Sequence, residues 1–174
     1  MLPFQQVATK TQIRAEDYLR MTFEHDAEFV HGDIVERPMP DKTHARIQFL
    51  LTFQFGQVAQ VQTLYPYTEF RLKVAPDIYR IPDLTVYAGS PPVEEVPSEP
   101  PLIVIEIVSK DERYSELTLK LEEYRQWGVP NIWVIDPHTR RFASYNELGL
   151  QNVSSLNLTD YSFQLTPAEL FSQL

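Results

Sequence analysis

The 174-residue chain contains no cysteine, which excludes disulfide frameworks, thiolate zinc sites and cysteine nucleophiles and leaves both oxidising and reducing compartments open. It also lacks an apolar run long enough to cross a bilayer, and Met1 to Gln6 lack the basic segment and apolar stretch of a secretion signal. A soluble, cytoplasmic protein is the expectation. Positive charge is scarce: 15 Lys and Arg face 24 Asp and Glu, for a net charge of −9. Broad attraction to a polyanion needs clustered Lys and Arg, so any contact with nucleic acid must be local. Repeats and low-complexity tracts are absent too, and the length suits a single domain over residues 1–174 that can bury a real core without structural staples.

What is present is a strongly apolar run, Leu102-Ile103-Val104-Ile105-Glu106-Ile107-Val108, which reads as a strand covered on both faces. Glu106 is its misfit. An unpaired buried carboxylate costs several kcal/mol or surrenders its charge through a raised pKa, so a partner must exist. A helix follows over about Ser115 to Trp127, stopped by Gly128 and Pro130, and Asn131 to Asp136 form a second apolar strand. Strand, helix, strand implies a crossover between parallel strands.

Elsewhere the signals are shorter. A helix is expected over residues 15–20, and an extended pair over Glu28 to Glu36 with a tight turn at Gly32-Asp33. Asp41 to Ala59 reads as a helix with Ile47, Leu50, Leu51, Gln54 and Val58 near one stripe, capped by Asp41 or Thr43. Phe70, Leu72 and Val74 alternate with Arg71 and Lys73, a half-exposed strand, and a turn at Ala75-Pro76-Asp77 leads to a further strand over Ile81 to Tyr87. Residues 89–101 hold five prolines and read as an exposed loop. Pro137 to Arg140 form a turn into Phe142 to Tyr145, followed by a strand near Tyr161 to Leu165 and a short helix after Thr166-Pro167. The architecture is α/β: a mixed sheet flanked by helices.

Three of these elements carry chemistry. Alternation puts Glu106 on one face with Leu102, Val104 and Val108, and Asp83 begins another strand just after Pro82. On the following helix, Leu117, Lys120, Leu121, Tyr124 and Trp127 share one arc at about 100° per residue, with Lys120 inside it. If that helix packs over its own strand, Lys120 approaches Glu106, and Asp83 joins if its strand is adjacent. Two carboxylates held together repel unless one is protonated or a cation sits between them. An oxygen-only pair suits Mg²⁺ or Mn²⁺, which polarises a phosphoryl oxygen and acidifies bound water while an ammonium stabilises developing charge. That is equipment for phosphodiester hydrolysis.

In order and spacing, Glu28 with His31-Gly32-Asp33, His44, Ile81-Pro82-Asp83, Glu106-Ile107-Val108-Ser109, Lys120, Tyr124 and the segment Trp127 to Pro137 resemble the Uma-two family of the PD-(D/E)XK, restriction-endonuclease-like superfamily. The resemblance runs from Glu28 to Pro137. It implies a restriction-endonuclease-like mixed sheet and a Mg²⁺-dependent or Mn²⁺-dependent nuclease acting on nucleic acid, DNA in the first instance. Asp83 and Glu106 match the metal-binding acids, Lys120 matches a catalytic lysine moved onto the helix, and Glu28 matches an additional acid at the site. The superfamily usually places its lysine two residues after the second acid, where this chain has Val108; relatives often carry proline where it has Lys110. Cutting both strands of a duplex favours a homodimer.

Plainer readings compete with these. Asp83 after a proline can simply cap a turn, and Glu106 with Lys120 can form a structural salt bridge without metal. Lys120 can instead pair with Glu116 one turn earlier, and Tyr124 is an ordinary core aromatic. His31 and His44 read as turn and helix-start residues, and their spacing makes no zinc site. Lys110, Arg113 and Arg125 can meet phosphates or, among Asp111, Glu112, Glu122 and Glu123, belong to a solvated face; Arg140 and Arg141 are turn residues. Functional alternatives are a catalytically inactive nuclease-like binding module and a metal-free hydrolase with paired carboxylates, which leaves Lys120 without a role. Ser109 as nucleophile lacks a histidine partner nearby in sequence.

Overall fold

Alternation along one buried strand organises the molecule. The computed structural model describes residues 12–110 and 112–174; Met1 to Gln6 and Asp111 lie outside the described residues. The first half contains α1 (Ala15–Tyr18), β1 (Ala27–Val30), β2 (Asp33–Glu36), α2 (Lys42–Ala59), β3 (Leu64–Thr68), β4 (Leu72–Ala75), β5 (Ile78–Arg80) and β6 (Leu84–Ala88). The second contains β7 (Ile103–Ile107), α3 (Tyr114–Trp127), β8 (Asn131–Asp136), β9 (Arg141–Asn146), β10 (Gly149–Val153), β11 (Leu156–Leu158), β12 (Phe163–Leu165) and α4 (Pro167–Phe171).

Six strands form the main sheet in the order β10-β9-β8-β7-β6-β3. Its one parallel pair is β7 with β8, joined by the α3 crossover, and the remaining pairings are antiparallel. A second, antiparallel sheet has the order β2-β1-β5-β4, and β11 pairs with β12. All five residues of β7 are buried. Ile103, Ile105 and Ile107 pack with Ile47, Leu50, Leu51 and Phe55 of α2, together with Trp133 and Phe163. Val104 packs in the opposite direction, with Leu117, Leu121 and Tyr124 of α3 and with Leu72 and Val134. Each such fully buried aliphatic side chain contributes about 1.5–3 kcal/mol. Glu106, two residues from Val104, therefore points to the α3 side. Val108 shares that side, but Leu102 packs with the α2 cluster because it precedes the strand.

Several expectations shift by a residue or two. The first hairpin turns at His31-Gly32 instead of Gly32-Asp33: Val30 pairs with Asp33, and both turn residues have positive φ, 51° and 91°, as a two-residue primed turn requires. Asp41 is the cap of α2, accepting from the His44 amide at 2.9 Å, and Phe55, missing from the expected stripe, is buried while Gln54 is only half-buried. Asp83 lies immediately before β6, in the link that carries the chain from the second sheet into the main one. The proline-rich segment 89–101 is irregular but not wholly exposed, since Pro97 and Pro101 are buried and Trp127 Nε1 donates to the Ser98 carbonyl at 3.1 Å. Tyr161 falls in a 3₁₀ turn ahead of β12, and Thr166 makes the capping box of α4, with Pro167 in its first turn. Strands β3, β5, β10 and β11 are additions to the sequence reading. No helix among the described residues is long and apolar enough to cross a membrane.

Candidate active site

The strand order delivers the convergence. β6 is hydrogen-bonded to β7, so Asp83, one residue before β6, lies beside Glu106; the Ile107 amide donates to Asp83 Oδ2 at 2.7 Å. The α3 crossover covers the same face of β7. It brings Lys120 Nζ to 3.4 Å from Glu106 Oε2 and lets the Tyr124 hydroxyl donate to Glu106 Oε1 at 2.8 Å. Glu28 arrives from β1 of the second sheet, with its Oε1 3.6 Å from Lys120 Nζ. One ammonium thus bridges two acids from different sheets. Glu28, Asp83 and Glu106 are only 2–3 % exposed, so every charge here must be matched from within the fold.

Glu28 is fully matched. Its Oε1 accepts from the Ile81 amide at 2.9 Å and its Oε2 from Arg80 Nη1 at 2.7 Å. Arg80 continues to Glu123 through two bonds of 2.7 and 2.9 Å. Burial alone pushes the Glu28 carboxyl up, but Lys120, Arg80 and the Ile81 amide together hold it below the ordinary carboxylate range. Asp83 follows the same pattern: against burial, the His44 ring, Arg37 and the Ile107 amide hold its pKa low. Arg37 Nη2 lies 2.6 Å and His44 Nε2 3.1 Å from Asp83 Oδ1. The main chain of Asp83 is tied down as well, with Gln48 donating to its carbonyl at 2.9 Å.

Glu106 behaves in the opposite way. Burial is the chief cause, with Asp83 and Glu28 adding like-charge repulsion, and these outweigh Lys120 and Arg37 to push its carboxyl up to about 7. Lys120 is also buried, which disfavours its charge, yet Glu106 first and then Glu28, Glu112 and Asp83 raise its pKa above the ordinary lysine value. It is an ammonium at neutral pH. The site opens into a cleft of about 1140 Å³ whose lining includes Glu28, Arg37, His44, Asp83, Glu106 and Lys120.

Asp83 and Glu106 fit a hard divalent ion. Both are oxygen donors, Glu106 on β7 and Asp83 at the entry to the neighbouring β6. A carboxylate has about four acceptor sites, and three donors on Asp83 and two on Glu106 leave room on each. Burial, with two other acids beside it, pushes the Glu106 carboxyl up to about 7, a shift that a bound cation would oppose. His44 Nδ1 and Ser109 Oγ, in residues that line the same cleft, are buried with no hydrogen-bond partner. Among the described residues, no group of three His, Cys, Asp or Glu side chains makes a complete metal cage. Two carboxylates supplemented by water and phosphate is the arrangement Mg²⁺ commonly takes.

Sequence reasoning brought together Asp83, Glu106, Lys120 and Glu28, and the structure does the same. Lys120 turns to Glu106 and Glu28, and Glu116 pairs with Arg113 instead. Tyr124 is a core aromatic, as expected, and in addition holds Glu106. His44 starts α2, as expected, but its ring also reaches Asp83. Lys110 lines the cleft near Asp41 at 3.2 Å, whereas Arg113 and Arg125 lie outside the lining and Arg125 is bound to Glu122. Arg140 is a turn residue with positive φ, and Arg141 begins β9. Arg37 and Arg80 were missed. Arg80 had a signal, a cation in the apolar stretch Ile78 to Ile81; Arg37, among Glu36, Pro38 and Pro40, had none.

A mixed sheet flanked by helices, with a crossover helix laid over its parallel pair, is the restriction-endonuclease-like fold. A crystal structure titled as a "putative nuclease belonging to DUF820", from Anabaena variabilis, shares it, with a TM-score of 0.82 over 92 % of this chain and 98 % of that one at 21 % identity. Residues 15–169 match the model of the Uma2 family, whose description is "Putative restriction endonuclease", and the chain belongs to that family. No curated protein matches it.

Proposed function

We propose that the protein is a nuclease that uses Mg²⁺ or Mn²⁺, held by Asp83 and Glu106, to hydrolyse phosphodiester bonds in DNA. The observation that carries this reading is the bridging ammonium: Lys120 lies within 3.6 Å of both Glu106 and Glu28, in a cleft whose lining also includes Asp83. When bound, the ion supplies Lewis-acid polarisation of a phosphoryl oxygen and a more acidic water. The protein's own groups do the rest. Because Lys120 stays charged, it acts as a fixed cation that orients the attacking water and stabilises the negative charge growing on phosphorus, not as a base. Glu28, itself held by Arg80, keeps that ammonium in place. Tyr124 fixes the Glu106 rotamer. Cutting both strands of a duplex is conveniently done by paired sites, which favours two copies of the chain.

The test is the nicking of supercoiled plasmid. Wild-type protein is expected to relax DNA with Mg²⁺ or Mn²⁺ and to stop in excess chelator, while Lys120→Met and Glu106→Gln lose activity by at least about a hundredfold, the loss usual when one group that stabilises transition-state charge is removed. Undiminished cleavage in chelator contradicts the proposal. A second reading has its own support: Glu28, Asp83 and Glu106 each have partners within the protein, as in a binding module that keeps the scaffold without the chemistry. That reading predicts a folded Glu106→Gln protein whose nucleic-acid binding is unchanged and a wild type with no cleavage.

A further inference from the structure

A divalent ion shared by Asp83 and Glu106 must contend with a cation that the protein already supplies. Arg37 Nη2 lies 2.6 Å from Asp83 Oδ1, and both side chains are largely buried, at 14 and 3 % exposure. The three donors on Asp83 differ in how readily they can leave. The Ile107 amide belongs to the central strand β7. The His44 ring is fixed on the first turn of α2 and is uncharged when it gives up a proton. Arg37 carries a permanent charge on a long, flexible side chain just after the end of β2.

Arg37 also has somewhere to go. Its other terminal nitrogen, Nη1, lies 3.8 Å from Glu69 Oε1, and Glu69 lines the same cleft with 37 % of its side chain exposed. The two other buried cations of the cleft, Arg80 and Lys120, have only buried or nearly buried acids as partners. Arg80 spends three hydrogen bonds on Glu28 and Glu123, and Lys120 lies between two carboxylates. Arg37 alone among these three pairs a buried acid on one side with a half-exposed acid on the other. A guanidinium and a divalent ion cannot both sit on one carboxylate oxygen without strong like-charge repulsion in a site this dry.

We infer that Arg37 is a displaceable resident cation that neutralises Asp83 in the metal-free protein, yields that carboxylate to an incoming divalent ion, and is then kept by Glu69 at the cleft wall, where its fork faces the substrate phosphate. The inference rests on the metal-binding reading of Asp83 and Glu106. It makes Arg37 both a brake on metal binding and a phosphate ligand once metal is bound. A planar guanidinium suits that second task better than an ammonium because it binds phosphate oxygens in pairs.

Calorimetric titration with Mn²⁺ of the wild type, Arg37→Gln and Arg37→Lys tests this without reference to cleavage. Removing a like charge from the metal's own ligand is expected to tighten Mn²⁺ binding at least about tenfold in Arg37→Gln, with Arg37→Lys, which keeps the charge, much closer to wild type. Binding that is unchanged or weaker in Arg37→Gln, while the wild type binds, overturns the inference alone. No Mn²⁺ uptake by any of the three proteins overturns the metal reading together with it. Circular dichroism checks the fold. If Arg37→Gln does not fold, Arg37→Met, which also removes the charge, decides: tighter binding than wild type supports the inference, and equal or weaker binding overturns it.

Discussion

At the residue scale, the site is a set of buried acids that share too few cations, and Glu106 carries the shortfall. Its folded-state pKa of about 7 lies above its ordinary value of 4.5, so the folded protein takes up a proton more readily than the unfolded chain. That preference contributes stability in full below the ordinary value, and the contribution is lost as pH rises through about 7. In metal-free protein, Glu106→Gln is therefore expected to gain melting temperature relative to wild type as pH rises from 5 to 8. A gap that shrinks over that window would reverse the assignment. Lys120 plays the complementary part. Truncating it to methionine leaves Glu106 and Glu28 without their shared partner, and urea denaturation at pH 7 is expected to show a loss of about 3–5 kcal/mol, the cost of breaking a buried ion pair from one side.

At the scale of elements, the turn of the chain between α3 and β8 sets where Lys120 meets Glu106, because β8 runs parallel to β7 and α3 must reverse onto both. Gly128 makes that reversal with φ of 104°, and its amide closes the helix on Tyr124 and Arg125. An added Cβ would meet only Pro100 at 3.9 Å, so Gly128→Ala isolates backbone strain. Its expected cost is about 1–2 kcal/mol in chemical denaturation, and no loss would mean that the helix end relaxes freely. The central elements were legible in the sequence because their signals are long. Leu102 to Val108 has no polar residue except Glu106, and the arc through Leu117, Lys120, Leu121 and Tyr124 has a clear helical period. The four missed strands have weaker signals. β3 carries Pro66 and survives as a sheet edge, where a missing donor is tolerated. β10 is Gly149-Leu150-Gln151-Asn152-Val153, an edge strand with no apolar alternation, and β5 and β11 have only three residues each. Asp83, Glu106 and Lys120 were readable because each breaks or punctuates a pattern. Arg37 sits in an irregular segment, and its role depends on a contact 46 residues away.

At the scale of the molecule, charge and cleft pull in different directions. A chain with a net charge of −9 repels nucleic acid on average, so binding must rest on the few cations in the cleft wall. Lys110 is the most exposed of these, Arg37 joins it on leaving Asp83, and Arg80 and Lys120 are committed to acids. Fluorescence anisotropy on labelled duplex is therefore expected to give a shallow salt dependence, with log K falling against log salt by roughly 2, the slope for about two neutralised phosphates. A much steeper slope would point to a broad basic surface that the charge balance does not provide. The fold itself follows the same economy: two sheets and a crossover helix each contribute one or two charged groups to a single buried point.

The central claim is that Asp83 and Glu106 together hold one divalent ion, and the most direct measurement is free Mn²⁺ by electron paramagnetic resonance in titrations of wild type, Asp83→Asn and Glu106→Gln. The account predicts one ion taken up per wild-type chain and none by either folded variant at the same concentrations. Uptake that is absent from the wild type, or that persists undiminished in both variants, would contradict it.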